Sequence, residues 1–253
     1  MIPNSVTCVG ESAFYGCNSL TNIMIPDGVI SIGSRAFSGC SSLTSITIPD
    51  SVTSLGENAF SSSSFGSYTF SGCSNLMSIT ISDNITSIGD GTFYRCTSLT
   101  NITIPDRVTS IGERAFYGCS SLKDIIIPNS VTSIGDNAFE GCISLTRIII
   151  PDGVTRISDW VFYGCRSLKN VTIPESVTSI DQYAFYGCSC LENAIIPDNV
   201  NSIGIGAFYD CSSLSDIKIP DGVTRIDQYV FYGCDSLKSI IIPNNTTSSK
   251  YSK

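Results

Sequence analysis

Ten prolines punctuate the chain, and all ten fall into two runs placed by one rule. From Pro3 to Pro49 and again from Pro105 to Pro243, each stands 23 residues after the last. Between Pro49 and Pro105, Ser82 fills a proline slot and ten extra residues are inserted. A fixed period of this length is the signature of a solenoid, in which each unit covers only its neighbours. It removes the difficulty that 253 residues exceed one ordinary hydrophobic core.

Counting from the proline slot, the other columns keep step. Val or Ile stands at +3 (Val52, Val108, Val131) and an aliphatic at +6 (Leu55, Ile111, Ile134). Ala and Phe follow at +10 and +11 (Ala115, Phe116), and Cys at +14 (Cys119). Leu occupies +17, with aliphatics at +20 and +22 (Leu122, Ile125, Ile127). Eight inward residues per coil form a layer too thin to stand alone. Stacked layers bury one another, at roughly 1.5–3 kcal/mol gross for each large side chain.

The segment LxxIxIP is rich in β-branched residues and alternates in and out, so it reads as a strand. Proline ends the strand, and the Asp, Asn or Glu after it opens a turn. VTSI crosses to the far wall as a second short strand. The slot at +7 is Gly in seven coils and Ser158, Asp181 or Asp227 in three, which predicts a left-handed bend. The piece xxAFYGC predicts one helical or 3-10 turn.

The unit LxxIxIPxxVxxIGxxAFxxC resembles the BspA-like leucine-rich repeat, the Treponema pallidum type or family five, over residues 2–243. The resemblance implies an α/β, right-handed solenoid of about ten 23-residue coils. A parallel β-sheet would form one face and short helical or 3-10 turns the other. It implies a surface or secreted, adhesin-like protein that contacts host or neighbouring-cell proteins without catalysis. An intracellular interaction scaffold is the alternative. Residues 1–243 are expected to be solenoid, with an insertion loop at 61–70 and a polar tail at 244–253. The chain opens in mid-repeat, which suggests a fragment whose targeting segments lie outside it.

Composition narrows the chemistry. With no histidine, Ser-His-Asp and Cys-His catalysis and the HExxH zinc motif are ruled out. A net charge of −8 argues against nucleic acid. No apolar run reaches a membrane-spanning length. We expect no enzyme activity, no catalytic residues, no cofactor and no metal.

Ten of twelve cysteines occupy the +14 slot, where they read as buried small hydrophobes. Cys8 and Cys190 fall outside it and are expected nearer the surface. The acidic column at +1 (Asp27, Asp50, Asp83, Asp106, Asp152, Glu175, Asp198, Asp221) has two readings. Each carboxylate serves its own turn, or calcium bridges adjacent coils. Tyrosines at +12 form a stripe on the opposite side, where shielding of the coil edge is the simpler role.

A partner would meet the outward strand positions at +19 and +21. From the fifth coil onward these become partly apolar, and the candidate partner-binding residues are Asp124, Ile126, Arg147, Ile149, Asn170, Thr172, Asn193, Ile195, Asp216 and Lys218. Uncapped ends also predict end-to-end self-association.

Overall fold

The computed structural model describes residues 2–56, 67–243 and 247–248. They form a parallel β-solenoid of about ten coils with two strand walls, to which the coils after the first contribute in turn. The first wall holds the LxxIxIP strands, among them Asp124–Ile126, Arg147–Ile149, Asn170–Thr172 and Asp216–Lys218. The second holds two-residue strands such as Ser110–Ile111 and Ser133–Ile134.

Every pairing is parallel, and apart from Ser45–Ser78, which spans the insertion, and Arg225–Thr247 at the end, each is shifted by 23 residues: Arg147 faces Asn170, Ile148 faces Val171, and Ser110 faces Ser133. The period of the sequence therefore fixes the register. In the first wall, burial alternates exposed, buried, exposed, as in Asp124, Ile125 and Ile126. The middle residue enters the core and its two neighbours face outward.

The arc between +9 and +14 has no helix, which corrects the expected helical face. Its backbone N–H groups alternate in purpose. Ala115, Tyr117 and Cys119 donate within the coil to Gly112, Arg114 and Phe116. Arg114, Phe116 and Gly118 donate to Asp136, Ala138 and Glu140 of the next coil. A helix would turn all six inward and leave the neighbouring coil unpaired. Left-handed residues at +9 and +13 impose the alternation: φ is 54° at Arg114 and 68° at Gly118.

This result also corrects the reading of the +7 slot. Gly33, Gly112, Gly135 and Gly204 are not left-handed, although Gly56 is, at φ 81°. They are glycines because coils approach closely there. A Cβ on Gly135 would lie 2.6 Å from the Glu113 nitrogen. The left-handed +9 position carries bulky side chains instead, including Arg35, Trp160 and Tyr183. These are held there by the coil-to-coil hydrogen bonds.

The core is one continuous stack. Phe rings at +11 lie face to face from Phe14 to Phe231, with centroids 5.3 Å apart at Phe116–Phe139. Each such contact adds about 0.5–1.5 kcal/mol beyond area burial. Of the expected insertion, residues 61–66 lie outside the described residues, and 67–70 follow the regular frame. Phe70 takes the inward slot, donating its N–H to Thr92. Phe60 and the tail at 249–253 lie outside the described residues.

Candidate functional site

The first wall presents a flat outer face on which the +19 and +21 side chains form two adjacent rows. Strand alternation puts them there, because the inward +20 residue between them is pinned in the core. The structure brings the ten candidate residues together on this single face, all exposed.

The +21 row supplies apolar surface. Ile126, Ile149 and Ile195 are 79%, 64% and 81% exposed. Thr172 lies beside Ile149 in the ladder, and Lys218 beside Ile241, which is itself 64% exposed. The +19 row is polar. Arg147 reaches back to Asp124 of the preceding coil at 3.4 Å. Both partners are solvated, so the pair is worth no more than about 1 kcal/mol. Asn170 and Asn193 pair along the ladder, and Asn193 faces Asp216. Asp216 accepts from Ser239 at 2.7 Å and Ser215 at 3.0 Å. These bonds, that of Ser239 first, hold its carboxyl below the ordinary range.

Strand pairing in this wall is interrupted between Thr80 and Asn101 and between Ile126 and Arg147, and it thins at one further coil. The strand Asn193–Ala194 has two residues where its neighbours have three. A shallow groove of about 450 Å³ opens beside it. Its lining includes Ile195, Asp216 and Lys218 together with Glu175, Asp198 and Ile241, which the sequence reading did not select. Lys218 reaches Asp198 at 3.3 Å. The missing signal was available: Glu175 and Asp198 belong to the acidic +1 column, which lies three positions beyond the +21 row in each coil.

The cysteines form the opposite of a reactive site. From Cys40 onward, each repeat thiol donates to the carbonyl of the Phe one coil earlier, at 3.1 Å for Cys119 to Phe93. Burial first, and the neighbouring thiol second, push these thiols up, to about 12 at Cys73, and Cys119 is raised for the same causes. They remain protonated at neutral pH and lack nucleophilic character. The end coils differ: Cys17 is exposed and Cys234 half-buried, because no complete layer covers them. Cys8 is exposed and Cys190 half-exposed, as the sequence suggested.

The tyrosines stack along the opposite arc, with centroids 4.6 Å apart at Tyr163–Tyr186 and Tyr186–Tyr209. Glu140 interrupts the row between Tyr117 and Tyr163. Ring faces cover one another, which fits a shield over the coil edge. Among the described residues, no group of three or more His, Cys, Asp or Glu side chains is placed to hold a metal ion. Nor is any helix there long and apolar enough to cross a membrane.

In-register parallel coils, a phenylalanine stack and a presenting strand face define a leucine-rich repeat solenoid. The chain belongs to the BspA type leucine-rich repeat family, which it matches in six copies over residues 1–65, 62–168 and 132–252. Among solved structures it resembles a leucine-rich repeat protein from Bacteroides ovatus, with 31% identity and TM-score 0.79, covering 98% of this chain and 67% of that one. A leucine rich cell surface protein from Faecalibacterium prausnitzii is 32% identical with TM-score 0.52, covering 95% and 77%. The T. pallidum leucine-rich repeat protein is 31% identical with TM-score 0.55, covering 74% and 72%. No curated protein matches the chain.

Proposed function

We propose that the protein is a non-enzymatic binding solenoid, displayed at a cell surface or secreted, whose first-wall face contacts a host or neighbouring-cell protein. The observation that carries this reading is the row Ile126, Ile149, Ile195, each at least 64% exposed on a flat sheet rimmed by charges. An apolar strip of this kind is a recurrent mark of protein interfaces. The similarity to a cell surface protein of F. prausnitzii supports the location.

The test immobilises the full chain and a variant with Ile126→Ser, Ile149→Ser and Ile195→Ser. Both are challenged with purified extracellular-matrix and surface proteins. A partner retained by the parent and lost by the folded variant supports the reading. Retention that ignores all three substitutions would remove the face from consideration.

A further inference from the structure

We propose that this face, taken as the binding surface on the reading above, accepts a cationic protein segment. The segment would be extended, with apolar side chains over the Ile row and Lys or Arg side chains over the acidic +1 column.

The argument begins with spacing. Paired strands lie about 4.8 Å apart, so the backbones that carry this column are spaced at about that distance, with Asn129 interrupting the acidic run. Each of the eight acidic residues in the column is exposed. Like charges placed in neighbouring coils repel. The fold imposes this repulsion on the empty face, and a cationic partner relieves it. Three positions before the +1 slot stands the +21 side chain, and in two coils this sets an Ile before a carboxylate: Ile149 before Asp152 and Ile195 before Asp198. In those coils apolar surface and negative charge lie side by side.

The two rows meet in the groove at the short strand Asn193–Ala194. Glu175, Asp198 and Asp216 supply three carboxylates there, Ile195 and Ile241 supply apolar surface, and Lys218 is the one cation in the lining. Lys218 lies against Asp198, on a side chain long enough to swing aside. The hydrogen bonds from Ser215 and Ser239 fix the Asp216 carboxylate without neutralising it. This is a socket for a basic side chain at one point of a longer track.

Charge eliminates the competing macromolecules. A nucleic acid or an anionic membrane would meet a row of like charge. A second copy of this chain, itself at −8, would bring the same row with it. Complementary potential is what selects a partner and speeds its encounter.

The experiment measures binding of three soluble peptides to the full-length chain by fluorescence anisotropy. All alternate valine with one other residue, which is Lys, Ser or Glu. The Lys peptide should bind and the Glu peptide should not. The double variant Glu175→Gln with Asp198→Asn should lose about tenfold in affinity for the Lys peptide and show a flatter salt dependence. Ile195→Ser should weaken the Lys peptide without changing that salt dependence.

If the Ser peptide binds as tightly as the Lys peptide and only Ile195→Ser matters, the face binds but the cationic class is wrong. When no peptide responds to any substitution, while the immobilised chain still retains its partner through the Ile row, the cationic class fails alone. Loss of both readouts overturns the face as well. Calcium binding at the column, with no Lys-peptide binding, would make the row an ion site and overturn the proposal.

Discussion

The Cys119 thiol donates to the Phe93 carbonyl oxygen, 3.1 Å away and one coil earlier. That same oxygen accepts the Cys96 N–H of its own coil at 3.0 Å. One carbonyl thus ties the turn closed and ties two coils together, with sulfur as the outer link. A buried carbonyl has two lone pairs, and this arrangement uses both. The thiol is therefore a donor as well as a filler. Alanine at Cys119 would lose the sulfur's packing and its hydrogen bond, and should cost about 1–2 kcal/mol in urea denaturation.

Thiol labelling separates the buried column from its exceptions. In the native protein, an alkylating reagent should modify Cys8, Cys17 and Cys190 within the first phase. Cys96, Cys119 and Cys142, all fully buried, should react only on unfolding. Peptide mapping after timed labelling reads this directly. Early modification of Cys119 would contradict the layer packing.

The buried thiols also set an alkaline limit. Burial raises Cys40 and Cys234 to about 11 and Cys73 to about 12, from 9.0. In the unfolded chain these groups ionise above about pH 9, while the folded chain keeps them protonated. The unfolded state then binds fewer protons, so stability falls as pH rises. The loss begins near pH 9, reaches about 1.4 kcal/mol per thiol at pH 10, and saturates only above the folded values. Melting temperature should be flat between pH 7 and 8 and drop steeply from 9 to 11. A melting curve unchanged across that window would refute the burial.

Most of the architecture was written in the period, because register in a solenoid is repeat length made physical. Pro105, Pro128 and Pro151 fix which residues pair, and the structure pairs them. The Phe stack and the outward isoleucines followed from the same count. What escaped was backbone conformation. Glycine at +7 has two possible causes, positive φ or close approach, and sequence cannot separate them when Ser158 and Asp181 share the slot. Bulky Arg35 and Trp160 disguised the true left-handed position, because its cause lies in hydrogen bonds to another coil. Glu175 and Asp198 were read as turn or calcium-bridging residues; Asp198 stands three positions after Ile195 in the sequence, and the fold brings Glu175 of the preceding coil into the same groove.

Two substitutions distinguish those two glycine causes. Arg35 is exposed with φ 54°, so Arg35→Gly should relieve left-handed strain and stabilise by up to about 1 kcal/mol. Gly135→Ala places a methyl 2.6 Å from the Glu113 nitrogen and 2.7 Å from the Gly112 carbonyl carbon. Backbone cannot give way as a flexible side chain would, so this should destabilise by about 1–3 kcal/mol. Paired urea melts read both. If Gly135→Ala were neutral and Arg35→Gly destabilising, the assignment of the two slots would be reversed.

Gly56 combines both causes and should be the most sensitive glycine in the chain. Its φ is 81°, and a Cβ there would fall 1.8 Å from the Cβ of Ser67. Ser67 lies within the expected insertion at 61–70. Its hydroxyl lies 2.8 Å from the Thr92 hydroxyl and donates to the Asp90 carbonyl at 3.0 Å, while Ser34 donates to the Ser67 carbonyl at 3.2 Å. This buried polar knot joins three coils, and a displaced Ser67 would leave several of its groups unpaired, at about 1–3 kcal/mol each. Gly56→Ala should therefore cost more than Gly135→Ala and raise hydrogen exchange at Ser67 and Thr92 first. Ser67→Ala, which removes the hydroxyl but keeps the fit against Gly56, should cost less than Gly56→Ala. The reverse order would mean that the hydroxyl network, and not the space kept by Gly56, holds the insertion in register.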